Sequence, residues 1–460
     1  MDLRAEGQGR AGVGAVNTQG ADSRPATIFA LASGRPPAGI AVVRVSGPAA
    51  REVLAVLAGE VPAPRRAHLA TLRDASGEVL DRALVLFFPA PASFTGEDVA
   101  ELHLHGGRAV VAAVLAALGG LPGLVPAEAG AFTRRAFENG RLDLTAVEGL
   151  ADLVAAETEA QRRQAIRQSG GALAARAESW RRRLIHARAM IEADLDFSDE
   201  DDVPDSVPAS VWTDMAVLRA ELAAVLAEGT RGERLRGGYL VALAGPPNAG
   251  KSTLMNVLAG RDVAIVTDIP GTTRDVLEVF LDLGGLPVTV ADTAGIREAA
   301  ERIEAEGIRR ARARAAAADI VLWLDEAGAR TPADLVASVE ANGGVVWPVA
   351  TKADLAGGAR SGSAISARTG EGIEALVERI AAHLATLLPP EDAGITRARH
   401  RACLADAVAA LGPVLADPPP APELRAEGLR LASDALARLV GRIDVEDLLD
   451  VVFAEFCIGK

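Results

Sequence analysis

Tyr239–Ser252 reads YLVALAGPPNAGKS, an apolar run of strand length closed by a glycine turn. Gly245, Gly250, Lys251 and Ser252 stand at the spacing GxxxxGK[ST], directly after the strand and ahead of a helical pattern, which is the context this motif requires. The spacing is that of a phosphate cradle. Glycines let backbone N–H groups curl inward, the helix N-terminus adds positive dipole, the ammonium reaches the terminal phosphates and the hydroxyl holds Mg²⁺. Downstream, Val288–Ala291, Ile320–Leu324 and Val345–Ala350 are short apolar runs separated by Ala-, Arg- and Glu-rich stretches up to about Leu388. Alternation at that spacing predicts a mostly parallel sheet with helices on both faces.

Three further segments follow in the order that a guanine-nucleotide site needs. Gly271-Thr272-Thr273-Arg274-Asp275 supplies a threonine for metal and γ-phosphate, and Asp292-Thr293-Ala294-Gly295 closes the strand Val288–Ala291. Thr351-Lys352-Ala353-Asp354 follows the strand Val345–Ala350, and Ser366-Ala367-Arg368 supports it. A carboxylate at Asp354 accepts two hydrogen bonds from the N1–H and 2-amino group of guanine, a donor pair that adenine lacks. The domain therefore resembles translation-factor-type GTPases, with Thr351 where that pattern has Asn. Ile296 follows the DTAG segment, where many GTPases place the glutamine that orients the attacking water. Asn248 in the turn offers a carboxamide oxygen to a monovalent cation against the phosphates, or it serves only to stabilise the loop.

Working outward, the α/β stretch has helical patterns on both sides. Thr145 to about Met190 places Val147, Leu150, Leu153 and Val154 on one face and is interrupted by Gly170-Gly171. The acidic run Asp194–Asp205 reads as a solvated loop and Ala209 to about Leu226 as another helix. After Pro389-Pro390 the chain is helical to its end. The simplest architecture inserts the α/β domain into a helical one. Ahead of both, Ile40–Val45 and Ala83–Phe88 have strand length, Val99–His105 alternates with period two, and Ala109–Leu118 and Phe132–Asn139 look helical. This is a small α+β domain, preceded by a tail over residues 1–25 that reads as disordered, or as a misassigned start.

Of the 460 residues, 49% are hydrophobic and 24% charged, which excludes wholesale disorder. The net charge of −14 is not that of a general nucleic-acid coat. The chain has three lysines, Lys251, Lys352 and Lys460, in a background that otherwise uses Arg. A lysine that persists there marks a site needing a compact ammonium. Two cysteines, Cys403 and Cys457, build neither a disulfide framework nor a CxxC metal site. No signal peptide opens the chain, and the uncharged run after Arg108 is broken by Gly119, Gly120, Pro122 and Gly123, so a cytoplasmic protein without a membrane span is expected.

GPPNAGKST, IVTDIPGTTRD, DTAGIRE, the helical flanks and the terminal Phe456-Cys457-Ile458-Gly459-Lys460 together resemble the tRNA-uridine-modifying GTPase family, MnmE/TrmE. GIAVVRVSGP from Gly39, SFTGEDVAELHLHGG from Ser93 and AFTRRAFENGRLDL from Ala131 match it too, so the resemblance covers about residues 26–460. It implies a multidomain α/β and α+β chain. An N-terminal tetrahydrofolate-binding domain would span 26–142, a discontinuous all-helical domain 143–236 and 389–460, and an inserted P-loop GTPase domain 237–388. It implies a homodimer and a heterotetramer with an FAD-dependent subunit of the MnmG/GidA type, acting on the wobble uridine of certain tRNAs.

The nucleotide-binding residues implied are Asn248, Ala249, Gly250, Lys251, Ser252 and Thr253, then Thr267, Asp268, Ile269, Pro270, Gly271, Thr272 and Thr273. Asp292, Thr293, Ala294 and Gly295 follow, with Thr351, Lys352, Ala353, Asp354, Ser366, Ala367 and Arg368. Mg²⁺ would sit on Ser252 and Thr273. K⁺ would sit on Asn248, Thr272 and the backbone oxygens of Thr267 and Ile269. Glu304 matches the family's water-orienting glutamate. A tetrahydrofolate derivative, in its 5-formyl or 5,10-methylene form, would meet Arg44, Glu101, Arg141 and Lys460. Arg141 stands where Lys is common, and Pro246 where Arg is usual. Cys457 is either a reactive thiol beside the folate or a buried structural one. Two other readings stand beside this one: a ribosome-assembly GTPase, although residues 390–460 hold no GxxG loop of the RNA-clamping kind, and a helical scaffold with a GTPase switch.

Overall fold

Alternating burial builds the first part of the chain. The computed structural model describes residues 26–196, 207–261, 263–264, 278–292, 312–326, 331–355, 364–389, 394–443, 446–454, 456 and 458–460. These fall into two compact units, one up to Arg141 together with Phe453–Lys460, the other Leu142–Val452. The first runs β1 (Thr27–Leu31), β2 (Ile40–Ser46), α1 (Ala50–Ala58), β3 (His68–Arg73), β4 (Val79–Phe88), β5 (Val99–His105), α2 (Arg108–Gly119), β6 (Leu124–Pro126) and α3 (Ala131–Glu138). Its six strands form one sheet in the order β3-β4-β5-β2-β1-β6, antiparallel apart from the β1–β6 pair. In β5, Leu102 and Leu104 are buried, while Glu101 and His103 between them are half-buried, as period-two alternation requires. The buried set packs with Val43 and Val45 of β2 against Val53, Leu54 and Leu57 of α1 and Val111, Val114 and Leu118 of α2. On the other face Ile28 and Ala30 of β1 pack with Phe132 of α3.

The end of the chain belongs to this unit. Ala129 and Ile458 form an antiparallel bridge, and the Phe132 N–H donates to the Lys460 backbone oxygen at 3.2 Å. Gly459 has φ +97, and a Cβ there would lie 2.1 Å from the Leu31 oxygen. Only glycine lets the tail approach β1 so closely. The Phe453 ring lies 6.2 Å from that of Phe456 and 6.4 Å from that of Phe137.

The second unit runs α4 (Leu144–Ala155), α5 (Glu159–Ser169), α6 (Ala172–Asp196), α7 (Ala209–Gly237), β7 (Tyr239–Ala244), α8 (Lys251–Ala259), β8 (Glu278–Leu283), β9 (Leu286–Asp292), β10 (Ile320–Asp325), α9 (Ala333–Glu340), β11 (Val345–Ala350), α10 (Ile373–Ala385), α11 (Ala398–Val414) and α12 (Pro422–Val440), with α13 (Glu446–Ala454) leading to the tail. Leu184 and Trp180 of α6, Leu218 and Leu222 of α7, Leu404 and Leu411 of α11, and Leu436 and Leu439 of α12 share one core. Two chain segments, separated by the α/β stretch, therefore make one helical bundle. The inserted sheet has the order β11-β10-β7-β9-β8, parallel except for the hairpin of β8 with β9. Pro348 lies in the edge strand β11, where its missing N–H costs the least pairing.

Two helices depart from the sequence reading. The pattern after Thr145 breaks first at Ala156–Thr158, where Thr158 and Gln161 form a capping box that starts α5. Helix α7 runs on to Gly237 instead of ending near Leu226. Gly229 and Gly232 look like breakers, but a Cβ on them would lie 2.3 Å from Ile395 Cδ1 and 2.1 Å from the Ile395 oxygen. They are packing glycines, and the contact they permit offsets their helix cost of about 1 kcal/mol each. The acidic run read as a loop falls mostly on 197–206, outside the described residues.

Candidate functional site

The phosphate end is set by the turn between β7 and α8. Gly245 has φ +144, and a Cβ there would lie 2.1 Å from the Leu324 oxygen of β10, so the turn starts hard against the neighbouring strand. Asn248 adopts φ 63 and Gly250 φ 93, left-handed conformations of the kind found in anion-binding backbone turns, and the Ala249 N–H between them donates to the Pro246 oxygen at 3.3 Å. Lys251, 7% exposed, donates from Nζ to the oxygens of Gly245 at 2.9 Å and Pro246 at 2.8 Å, which holds the ammonium over the loop. Ser252 Oγ donates to Asp292 Oδ2 at 3.2 Å. Asp292 is buried at the end of β9, so two hard oxygen ligands of the kind that Mg²⁺ takes converge beside the lysine.

The base end is tied together by main-chain bonds. Ile365 N donates to the Ala350 oxygen at 2.8 Å and Ala353 N to the Ile365 oxygen at 3.1 Å, which joins 351–355 to 364–371. Asp354 Oδ1 accepts from Ser366 Oγ at 2.7 Å and Oδ2 from Arg368 Nε at 2.9 Å. The Ser366 hydroxyl, with the Arg368 charge behind it, holds this carboxyl below its ordinary range, so it stays an acceptor. Thr351 is buried beside the loop, its N–H on the Asp325 oxygen, and its hydroxyl has no partner among the described residues. Lys352, at φ 56, pairs with Glu326. Thr267–Thr273, Thr293–Gly295, Ile296, Glu304 and Cys457 lie outside the described residues.

In the first unit, Arg44 and Glu101 are direct cross-strand partners on β2 and β5. Arg44 donates to Glu101 Oε1 from Nε at 3.1 Å and from Nη2 at 2.9 Å, and His103 Nε2 lies 3.3 Å from Glu101 Oε2. The guanidinium sits 5.4 Å from the Phe94 ring centroid and 5.7 Å from that of Phe132. The Phe132 backbone N–H also donates to the Lys460 oxygen, so the residue whose ring lies beside Arg44 is tied through its main chain to the terminal residue. Arg141 packs near Gly96, two residues after Phe94. A cation, a carboxylate and two rings fit a flat heteroaromatic acid such as a folate.

Residues 27–141 match the family model of the GTP-binding protein TrmE N-terminus, and 144–457 that of the MnmE helical domain. The chain belongs to the MnmE family. It is similar to the tRNA modification GTPase MnmE of Azorhizobium caulinodans, 54% identical over 437 residues that span 94% of this chain and 99% of that one. The MnmE of Rhodopseudomonas palustris (strain BisB18) is 54% identical over 448 residues, 95% and 100% of the two chains. Among solved structures, that of Aquifex aeolicus Era Y63A bound to GDP.AlF4⁻ covers 38% of this chain and 66% of its own at 26% identity, with a TM-score of 0.25. Among the described residues no helix is long and apolar enough to cross a membrane.

For an MnmE-family chain the structure adds residues that the motifs did not single out. Phe94, His103 and Phe132 surround the Arg44–Glu101 pair. Arg135 bonds Glu97 at 2.8 Å and the Ser46 oxygen at 3.2 Å, which pins α3 beside β2. Alternation in β5 carries a signal for His103, and nothing local carries one for Phe132.

Proposed function

We propose that this MnmE-family GTPase binds GTP with Mg²⁺ and K⁺ and hydrolyses it to GDP and phosphate. With an FAD-dependent partner of the MnmG/GidA type, it adds a carboxymethylaminomethyl or aminomethyl group to C5 of the wobble uridine of certain tRNAs. The meeting of Lys251, Ser252 and Asp292 at the C-terminal end of the sheet supports the hydrolase part most directly. Lys251 holds the terminal phosphates, Asp354 reads guanine, and Ser252 and Thr273 hold the metal, which neutralises charge on the β- and γ-oxygens when bound. Asn248, Thr272 and the backbone oxygens of Thr267 and Ile269 hold K⁺. Glu304 orients the attacking water, a task that the Ile296 side chain has no polar atom to perform.

The Arg44–Glu101 pair between two rings supports the folate part, with Arg141 and Lys460 as the further contacts. In this reading the N-terminal unit supplies the one-carbon donor within a homodimer, and two such chains join two FAD-dependent subunits. The test is complementation of a bacterial strain that lacks its own MnmE-family protein, with wobble-uridine modification read by mass spectrometry. The chain restores the modified nucleoside, and Lys251→Ala, which loses tight GTP binding, does not. Active GTP hydrolysis with no restored modification would overturn the tRNA part alone.

A further inference from the structure

The chain passes from the helical bundle into the inserted domain at the end of α7 and comes back through Gly394–Arg397 into α11. These two crossings touch. Gly229 and Gly232 of α7 are the positions where any side chain would strike Ile395, itself fully buried. One carboxylate then takes a guanidinium from each crossing. Asp152 of α4, largely buried, accepts on Oδ1 from Arg236 Nε at 2.7 Å and from Arg397 Nη2 at 2.7 Å. Helix α5 adds neutral ties: Gln161 Nε2 donates to the Arg236 oxygen at 3.1 Å, Gln164 Nε2 to the Gly232 oxygen at 3.2 Å, and Gln168 Oε1 accepts from Thr396 Oγ1 at 2.6 Å.

A rigid element runs from this joint to the phosphate end. The first turn of α5 meets the β8–β9 turn, where Ala160 N donates to the Gly285 oxygen at 3.1 Å. From there β9 spans Leu286–Asp292, and its last residue is the carboxylate that meets Ser252. A strand of this length is a rod of about 20 Å, hydrogen-bonded on both sides by β7 and β8. Any shift of Asp292 with the nucleotide therefore reaches α5, and whether it goes further depends on how firmly the two crossings are held.

We propose that Asp152 is a positioning residue of a coupling joint. It locks both chain crossings to α4, so that nucleotide-dependent movement of the inserted domain is passed to the helical bundle instead of being absorbed where the chain crosses. The inference rests on the reading of the nucleotide site given above. Without Asp152 the two crossings lose the one carboxylate oxygen that they share, while Arg397 keeps its 4.0 Å approach to Glu148 Oε1.

The test uses the full-length chain, Asp152→Asn and the milder Arg236→Gln, which takes the α7 guanidinium away from Asp152 and leaves Asp152 paired with Arg397. Hydrogen exchange is compared with GDP and with guanosine 5′-(β,γ-imido)triphosphate, beside steady-state GTP turnover and tRNA modification. In the unaltered chain the two nucleotides give different exchange in α4, α5 and 394–400. In both variants that difference shrinks at least threefold, kcat and KM for GTP stay within about twofold, and modification falls, about tenfold for Asp152→Asn. If Asp152→Asn does not fold, Arg236→Gln decides. An unaltered chain that binds GTP but shows no nucleotide-dependent exchange in α4 or α5, or variants that keep it, overturn the joint alone. Absence of GTP binding by the unaltered chain overturns the nucleotide reading and the joint with it.

Discussion

Two arginine–glutamate pairs, one in each unit, show how burial decides what an ion pair can do. Arg44 and Glu101 lie on a sheet face with 18% of each side chain exposed. Arg399 and Glu148 lie between α11 and α4, with 2% of the Glu148 side chain exposed. Glu148 accepts from Arg399 Nε at 3.0 Å, Arg399 Nη2 at 2.8 Å and His400 Nε2 at 2.6 Å, and Arg399 spends its remaining nitrogen on the oxygens of Arg438 and Leu439. His400 Nδ1 accepts the Thr396 N–H at 3.4 Å, which leaves Nε2 as the protonated, donating nitrogen of a neutral ring. Burial pushes His400 below its ordinary range, in agreement with that tautomer. The helical cluster is closed, with every strong partner already inside. The pair on the sheet has open sides and two flanking rings, so a ligand can share or replace its bonds.

The comparison breaks most easily at Glu148. Glu148→Ala leaves Arg399 buried without its carboxylate, and loss of one partner of a buried pair costs about 3–5 kcal/mol. Unfolding of the helical unit, followed by exchange of its core amides in urea, will show that loss. A mutant with wild-type stability would place the two pairs in the same class.

Acid gives a second, smaller break. Burial raises the Glu148 pKa, but the hydrogen bond from His400 and the bonds and charge of Arg399 outweigh it and hold the group at about 2, below its ordinary 4.5. A depressed folded-state pKa contributes stability above the unfolded value and loses it as pH falls through the folded value. The window is therefore pH 4.5 down to about 2, worth on the order of 3 kcal/mol. In Glu148→Gln this part of the pH dependence disappears, which a urea midpoint series from pH 5 to pH 2 measures.

Glu101→Gln sharpens the contrast from the other side. It changes the stability of the first unit by less than about 1 kcal/mol, as for a pair that water still reaches. Affinity for 5-formyltetrahydrofolate falls about tenfold, because the neutral amide forfeits charge-assisted bonds. Calorimetry on the full chain reads both, and an unaltered folate affinity would remove the pair from the proposed site.

Sequence alone determined what depends on near neighbours. The P-loop, the DTAG aspartate and the TKAD and SAR segments are local because a phosphate cradle needs residues at fixed chain spacing, and their strands were legible from short apolar runs. The alternation of Val99–His105 likewise placed Glu101 and His103 on one face. Tertiary structure decided what joins distant segments. Gly229 and Gly232 read locally as helix breakers, and only Ile395, more than 160 positions away, shows them to be contact surfaces. Asp152 is an ordinary helix aspartate until Arg236 and Arg397 arrive from either end of the insertion. The tail reached β1 through Gly459, and Phe132 came to meet Arg44 with its ring and the Lys460 oxygen with its backbone N–H. Periodicity reports which face of an element is buried; which partner buries it is set by packing between segments whose separation in sequence carries no trace of their approach.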